Sequence, residues 1–543
     1  MAEERNFVVY RASAGSGKTW VLVKEYLKLC LQYDSPAYYR SILAVTFTNK
    51  AASEMRERIM LRLQGFAGLN PKEFDAHMEK ELCAELHLDK VELGRRSRNT
   101  LSHMLHHYSD LKISTIDSFV HQLVRAFARD IDVAPDFDIE LDSDLVVQIA
   151  VDNVLDRVGR DPETTDMLLR YAKTMLEDEK NWNFRNDLAD FASGLTVEGT
   201  SSKVAQLKKF EGHQFVEIHK QLSGLSAAFE KELTTVTQQA LDLLASAQLD
   251  ADAFSGKTLY NYIVELNQLN AKAMGKDLAT FDKVLFGGEE FFPKSKAKRY
   301  ADAFAPIDQE LRGYCLKIHH LLKEEPYSHY LRVKKVRAQV YPLAVLHLVN
   351  DAINDWKDQN NTLLIGDFNR LINQVILNNP APFIYERIGQ RFRHFLIDEF
   401  QDTSIVQWQN FIPLLENSLA THHFNLIVGD GKQSIYRWRG GEVDQFNLLP
   451  DIYKKPPHIF DNAEAAFHRE IDVRPREQNF RSAPEVVDFN NRLFDVIAPM
   501  LGDHASVYAG HRQEPVKSFK GWVTYEKPEK KKVFDAIEDA IRL

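Results

Sequence analysis

The hydrophobic pattern of the chain separates short, continuously apolar runs from a long stretch of helical periodicity. Runs typical of buried strands occur at Phe7–Tyr10, Ser41–Phe47, Asn361–Ile365, Phe392–Ile397 and Phe424–Val428. Between about residues 140 and 355, apolar residues instead recur at three- and four-residue spacing with few glycines, which predicts amphipathic helices. The pattern therefore predicts an α/β protein with a large all-α segment inserted in it.

Length and composition indicate a globular protein of several domains. The 543 residues exceed what one hydrophobic core supports and suggest about three or four domains. The hydrophobic share of 44% and the charged share of 27% are ordinary for such proteins. No window approaches the length of an apolar membrane span, and the first residues lack the basic and apolar stretches of a secretory signal, so we expect no membrane association.

The cysteines and the net charge add two constraints. Three widely spaced cysteines, Cys30, Cys83 and Cys315, provide neither a metal cage nor a disulfide framework, and they suit a reducing cytoplasm. The formal net charge of −10 does not exclude nucleic acid, because binding depends on local basic faces rather than on the sum. We therefore expect a cytoplasmic protein. It can bind nucleic acid if its surface has local basic faces.

A glycine-containing loop follows the first predicted strand and precedes an amphipathic helix pattern. Its residues are Ala12, Ser13, Ala14, Gly15, Ser16, Gly17, Lys18 and Thr19. Strand, glycine loop and helix form the context of a phosphate-binding loop, in which backbone N–H groups and the helix N-terminus face the phosphates. Lys18 would reach the β- and γ-phosphates of ATP, and the Thr19 hydroxyl would ligate Mg²⁺. Ala12 stands where the usual pattern has glycine, and a Gly/Ser-rich surface turn is the alternative interpretation.

An acidic segment, Asp398–Thr403, follows the predicted strand that ends at Ile397. Carboxylates at the carboxyl end of a strand lie where α/β sheets bind ligands. Asp398 is placed to hold Mg²⁺, and Glu399 to orient or deprotonate the attacking water. The alternative is a solvated acidic loop.

A series of segments resembles, in order, the motifs of superfamily 1 DNA helicases of the UvrD type, with a spelling closest to the RecB/AddA branch. The segments are Ala12–Thr19 (motif I), Val45–Met55 (motif Ia), Thr115–Phe119 (the Thr-x-His-Ser-Phe segment, here with Asp117 for His), Asp398–Thr403 (motif II), Val428–Gly440 (motif III) and Gln478–Ser482 (motif IV). Nothing after Arg481 resembles motifs V and VI, so the resemblance implies the N-terminal part of a longer protein. The glutamine that reads adenine upstream of motif I is also missing, which leaves base selectivity open.

The resemblance implies a role for each matching residue. The catalytic residues would be Lys18, Glu399, Gln433, which senses the γ-phosphate, and Arg481, which stabilises charge on the transferred phosphoryl group. Bases would stack on aromatic side chains beside one arginine, and backbone phosphates would be bound by hydroxyl and amide groups. The stacking set is Phe47, Tyr436 and Trp438 with Arg439, and the phosphate set is Thr46, Asn49, Thr115 and Ser118. Core packing is the alternative for the aromatic residues.

The resemblance also implies the domain organisation. It implies a RecA-like parallel-sheet motor core. The phosphate loop and its acidic partner must lie side by side in one sheet, so the helical block between them is expected to be an inserted domain. Its first domain would comprise residues 1–130, with a helical excursion at 60–110, and residues 356–450. Residues 131–355 would form the inserted helical domain, and residues 451–543 the start of a second RecA-like domain.

These expectations together predict an ATP-dependent DNA helicase or translocase of the recombination-repair kind, which couples ATP hydrolysis to movement on single-stranded DNA. Its partners would be single-stranded and duplex-end DNA and a second helicase-nuclease subunit. We expect poor hydrolysis from this chain alone, since half of the nucleotide cleft would be missing. The alternatives are a DNA-binding scaffold subunit with a vestigial ATP site, and an unrelated phosphate-loop kinase or transport ATPase.

Overall fold

The computed structural model describes residues 5–131, 133–134, 136–177, 185–196, 200–254, 258–276, 279–287, 291, 297–378, 388 and 391–524. The chain forms two compact units. The first, the sheet unit, comprises Met1–Leu141, Thr196–Gly199 and Lys357–Leu543. The second, the helical unit, comprises Asp142–Leu195 and Thr200–Trp356.

Strands and helices alternate at the start of the chain and are followed by helices alone. The elements up to the helical unit are β1 (Phe7–Ala12), α1 (Lys18–Leu31), β2 (Ile42–Thr46), α2 (Asn49–Phe66), α3 (Ala76–Leu86), α4 (Lys90–His106), β3 (Ile113–Thr115), α5 (Ile116–Ala126) and β4 (Asp138–Glu140). The next are α6 (Ser143–Leu155), α7 (Pro162–Glu177), α8 (Arg185–Ala192), α9 (Ser201–Leu207), α10 (Gly212–Ser246), α11 (Thr258–Asn267), α12 (Ala271–Met274), α13 (Ala279–Phe286), α14 (Ala297–Phe304), α15 (Asp308–Lys323), α16 (Glu325–Arg337) and α17 (Val340–Asn360).

The alternation of strands and helices resumes in the last third of the chain. Its elements are β5 (Thr362–Leu364), α18 (Ile365–Asn378), β6 (His394–Ile397), α19 (Ile405–Ala420), β7 (Asn425–Gly429), α20 (Val443–Leu448), α21 (Asp461–Glu470), β8 (Ile471–Arg476), β9 (Gln478–Asn479), α22 (Pro484–Ile497) and β10 (Glu514–Pro515). Of the residues assigned from the sequence to a second RecA-like domain, 525–543 lie outside the described ones.

Six parallel strands form the core of the sheet unit, in the order β3-β2-β6-β7-β1-β8. Both faces of this sheet are covered, which explains why its strands are continuously apolar instead of alternating with polar residues. Along β1, Phe7 and Val9 point into one apolar cluster, whereas Val8 and Tyr10 point into the other. The α/β class with a RecA-like parallel sheet, predicted from the sequence, is confirmed.

A separate pair of short strands stands where the chain leaves and re-enters the sheet unit. β4 and β5 pair in parallel, with Asp138 opposite Thr362 and Glu140 opposite Leu364. The apolar run at Asn361–Ile365 is therefore a strand, as its pattern predicts, but it belongs to this pair instead of the six-stranded sheet. The pairing brings together the two points between which the helical unit is inserted.

The helical unit has its own hydrophobic core around the 35-residue helix α10. Glu211 and Gln214 form a capping box at the start of α10, which satisfies backbone N–H groups of its first turn. Farther along, the Phe229 ring stacks on that of Tyr330 with centroids 4.6 Å apart. Among the described helices, none combines the length and the apolar character that a membrane crossing requires.

Candidate active site and nucleic-acid interface

The phosphate-loop segment connects β1 to α1 at the carboxyl edge of the sheet. Gly15 and Gly17 have φ angles of 79° and 83°, in the left-handed region that favours glycine. A β-carbon at Gly15 would lie 2.9 Å from Asn479 Oδ1 and 3.0 Å from Arg481 Cβ. The sequence therefore needs glycine at position 15 both for its backbone angle and for close packing against the segment that carries Arg481.

Lys18 lies where three of the resembling motifs meet. Its Nζ is 3.2 Å from Glu399 Oε2 and donates a hydrogen bond of 3.1 Å to Gln433 Oε1. Glu399 follows β6, and Gln433 lies in the turn after β7. Because the carboxyl ends of parallel strands share one edge, residues almost 400 positions apart become neighbours. Three predicted catalytic side chains thus converge at one point.

The two predicted carboxylates occupy the strained end of β6. Glu399 has a φ of 51°, which costs a non-glycine residue about 1–2 kcal/mol, and its N–H donates to Asp398 Oδ1 at 2.9 Å. Burial, together with the neighbouring Glu399 charge, raises the pKa of Asp398 to about 7. A carboxyl group that resists ionisation in this position is suited to a cation, because a nearby positive charge restores its charged form.

Gln401 contacts the carboxylates of Glu399 and Asp402, and the sequence reasoning assigned it no role. It is buried, and its Nε2 donates to Glu399 Oε2 at 2.7 Å and to Asp402 Oδ2 at 3.2 Å. Its Oε1 accepts from the Asp430 backbone N–H at 2.9 Å. The signal available in the sequence was its position between Glu399 and Asp402, where one amide can bind both carboxylates.

Asp430 continues this network toward Gln433. One of its carboxylate oxygens accepts from Gln433 Nε2 at 2.7 Å, and the other lies 2.9 Å from Lys432 Nζ. Gln433 therefore donates to Asp430 and accepts from Lys18, so its side chain is fixed in one orientation. The network ties the end of β6 to the turn after β7.

The predicted stacking residues form one cluster. The Phe47 ring centroid is 4.5 Å from that of Tyr436, which lies 6.2 Å from the Trp438 centroid. The Arg439 guanidinium lies 5.6 Å from the Phe47 ring and 5.5 Å from the Trp438 ring. Trp438 is 72% exposed, which core packing does not explain. An exposed aromatic surface with a guanidinium group is typical of single-strand binding sites.

The predicted phosphate-binding residues have different surroundings. Asn49 is exposed at the start of α2, whereas Thr46 is 1% exposed and its hydroxyl has no hydrogen-bond partner among the described residues. Thr115 Oγ1 accepts from the Ser118 N–H at 3.1 Å and caps α5. Asp117, which replaces the usual histidine, accepts hydrogen bonds from protein side chains. Phosphate contacts by this set stay a prediction.

The segment around Arg481 lies against the phosphate loop. The Phe480 N–H donates to the Gly15 carbonyl at 2.8 Å, and Asn479 Nδ2 donates to the Ala14 carbonyl at 3.3 Å. Asn479 Oδ1 accepts from the Arg481 backbone N–H at 2.9 Å. Asn479 therefore links Arg481, whose side chain is exposed, to the loop.

Comparison with known proteins agrees with this geometry. The profile of the UvrD/REP helicase N-terminal domain matches residues 2–454. An ATP-dependent helicase/nuclease subunit from Lactococcus lactis subsp. cremoris (strain SK11) is 26% identical over 514 residues, covering 90% of this chain and 38% of that protein. Its namesakes in Bacillus pumilus (strain SAFR-032) and Listeria monocytogenes serotype 4a (strain HCC23) are 25% and 24% identical over 91% and 90% of this chain.

The matched region is a part of these relatives. The chain spans 38% of the length of each of the three, so likeness to them concerns that share alone. The family profile, in contrast, covers most of this chain and includes the phosphate loop, both carboxylates and the aromatic cluster. The chain belongs to the UvrD/REP helicase family.

Proposed function

We propose that this chain is a motor that couples ATP hydrolysis to movement on single-stranded DNA, in the service of recombination and repair. One observation carries the proposal. The turn after β7 presents Gln433 to Lys18 and, three residues later, Tyr436 to Phe47. If the bound nucleotide moves this turn, the same movement therefore shifts the aromatic rings on which bases would stack.

Lys18 is held by Glu399 and Gln433, and ATP would change these partners. The γ-phosphate would compete for Lys18, because a phosphate accepts stronger charge-assisted hydrogen bonds than an amide does. Glu399 would then be free to orient and deprotonate the attacking water, and Gln433 would turn toward the γ-phosphate. Gln401 would keep Glu399 in place during this exchange.

Thr19 and Asp398 would hold Mg²⁺, since their oxygen atoms are the ligands that this ion prefers. The raised pKa of Asp398 fits a carboxylate that ionises fully only beside a cation. When bound, the ion would neutralise charge on the phosphates. Arg481 would approach the same phosphates from the segment that Asn479 fixes to the phosphate loop.

The name of the relatives also supports a proposal about assembly. They are helicase/nuclease subunits, so we propose that this motor works with a second subunit on single-stranded and duplex-end DNA. We also propose a cytoplasmic location, because the three widely spaced cysteines, Cys30, Cys83 and Cys315, suit a reducing compartment.

Stimulation of ATP hydrolysis by single-stranded DNA tests the motor. We expect hydrolysis that rises with added oligonucleotide, and we expect Lys18→Ala to lower it by about a thousandfold or more, because Lys18 is the cation at the phosphates. Lys28→Ala, on the same helix but paired with Glu85, is the matched control and should hydrolyse ATP at the unmodified rate. A rate of ATP hydrolysis that does not rise with added DNA, or that is unchanged in Lys18→Ala, contradicts the proposal and favours a scaffold role.

A further inference from the structure

A cavity of about 560 Å³ lies at the amino edge of the sheet, opposite the edge that carries the phosphate loop. Its walls come from the residues that immediately precede three neighbouring strands. Arg40 precedes β2, Arg391 and Arg393 precede β6, and Asp110 precedes β3. The Arg393 N–H donates to the Ser41 carbonyl at 2.8 Å, which fixes two of these segments to each other.

The cavity has an excess of positive charge. Arg40 is paired with Asp110 at 2.6 Å, whereas Arg391 and Arg393 form no ion pair with a carboxylate of the described residues. Both arginines are exposed on either side of the buried Phe392, and the Arg391 guanidinium lies 5.3 Å from the centre of the Phe392 ring. Burial and then the Arg391 charge lower the pKa of the nearby Lys112, and the Asp110 charge offsets them only in part.

One aromatic ring lines this cavity, and a second ring lies against the first. Tyr38 lines the cavity, and its hydroxyl is held at 3.0 Å by His394 Nε2. Burial lowers the pKa of His394 to about 4, so this ring is neutral at physiological pH and adds no charge. The Tyr33 ring lies 4.7 Å from the Tyr38 ring and is 55% exposed. Arginines on a cavity wall, with an exposed aromatic ring next to that wall, are a combination with which proteins bind single-stranded nucleic acid.

We propose that this cavity is a second nucleotide-binding site, which takes a nucleoside phosphate from a nucleic-acid strand or from a free nucleotide. Arg391 and Arg393 bind the phosphate, since guanidinium groups match its oxygen atoms in pairs. The base stacks on Tyr33, and the Ser35 hydroxyl on the cavity wall is a further donor. An acidic peptide would also pair with the arginines, but it would leave the exposed Tyr33 ring without a role.

The site is distinct from the motor machinery, so it is measured with that machinery disabled. The background protein is the full chain with Lys18→Ala and Trp438→Ala. Fluorescence anisotropy reports binding of a labelled oligothymidylate, and ATP, inorganic phosphate and an oligoglutamate peptide serve as competitors. The test variants are Arg391→Glu with Arg393→Glu, and separately Tyr33→Ala and Tyr33→Trp. Arg469→Glu is the matched control, because Arg469 is exposed in the same unit and away from the cavity.

We expect the double arginine variant to weaken oligonucleotide binding at least tenfold. It should also lower the slope of log K against log salt concentration by about 0.7, the contribution of one phosphate on a single strand. Tyr33→Ala, an exposed substitution that leaves the core intact, should weaken binding about fivefold, and Tyr33→Trp should retain it. Arg469→Glu should bind like the background protein.

The competitors identify the source of the phosphate. Displacement by other single strands but not by ATP assigns the site to nucleic acid, and displacement by ATP assigns it to free nucleotides; both support the proposal. Unchanged binding in the arginine and Tyr33 variants, or displacement by oligoglutamate alone, overturns it. Because every variant is compared within the same Lys18→Ala and Trp438→Ala background, a change caused by the arginine or Tyr33 substitutions does not depend on whether the motor proposal holds.

Discussion

The two edges of the six-stranded sheet are built from the same strands but carry different electrostatics. At the carboxyl edge, the charge of Lys18 has two partners, Glu399 and Gln433, both of which ATP would displace. At the amino edge, Arg391 and Arg393 have no carboxylate partner among the described residues. A cation held by a carboxylate and an amide is suited to exchange these partners during a reaction cycle, whereas arginines that no carboxylate neutralises are suited to capture an anion. The comparison suggests a cycling site at one edge and a holding site at the other.

The largest effect is expected on ATP hydrolysis, when the proposed general base at the carboxyl edge of the sheet is removed. Glu399→Gln should lower kcat for ATP hydrolysis by about a thousandfold, because the amide cannot accept the proton of the attacking water. DNA affinity should stay the same, since the stacking cluster does not include Glu399. Glu416→Gln, on α19, is the control and should retain the unmodified kcat. A loss of less than tenfold in Glu399→Gln would assign the base to another residue.

The next effect concerns stability at the amino edge. The pKa of His394 is about 4 in the folded protein and about 6.5 when unfolded, so the unfolded state binds a proton first as the pH falls. The contribution of neutral His394 to the free energy of unfolding is complete above pH 6.5. It declines by at most about 3 kcal/mol as the pH falls to 4. Urea unfolding of His394→Gln should show a smaller loss over this range than the unmodified protein. His106→Gln, at an exposed position, should show the full loss; equal losses in all three proteins would contradict this origin.

A smaller effect is expected on DNA affinity, and it distinguishes a defined stacking site from any exposed aromatic side chain. Trp438→Ala should weaken binding of single-stranded DNA about tenfold, because one base loses its stacking partner. Trp522 is as exposed as Trp438, at 78% against 72%, but lies outside the cluster. Trp522→Ala should therefore leave the affinity unchanged in anisotropy measurements. Equal losses in both variants would argue against a defined stacking site.

The smallest effect isolates the packing of the phosphate loop. Gly15 and Gly68 both have positive φ angles, 79° and 72°, but only Gly15 has neighbours within 4 Å of an added β-carbon. Gly68→Ala should lower the free energy of unfolding by about 1 kcal/mol from backbone strain. Gly15→Ala should cost about 1 kcal/mol more and weaken ATP binding, because Asn479 and Arg481 must move. Equal costs would show that the Asn479 contact contributes nothing.

Local sequence patterns predicted the parts of the site that depend on neighbouring residues. Glycines and Lys18 within one turn define the phosphate loop, and continuous apolar runs define strands buried on both faces. Gln401 was missed because its partners include Asp430, which is distant in sequence, and hydrogen bonds between distant segments leave no periodic signal. The contact of Asn479 with Ala14 escaped prediction for the same reason.

The amino edge and the small sheet show two further limits. The apolar run at Phe392–Ile397 was interpreted as a strand, but β6 begins only at His394, so Arg393 belongs to the cavity wall instead. β4 and β5 contain three residues each, too few for a periodic pattern, and their pairing joins segments more than 200 residues apart. Such pairings depend on the whole fold and not on local propensity.

The β4–β5 pair has a consequence for how this chain can evolve. Because the pair holds residues 138–140 beside 362–364, the chain first leaves the sheet unit and finally returns to it at two neighbouring strands. Lengthening, shortening or exchanging everything between these strands leaves the register of the six parallel strands unchanged. Selection can therefore reshape the helical unit while the arrangement of Lys18, Glu399 and Gln433 is inherited intact.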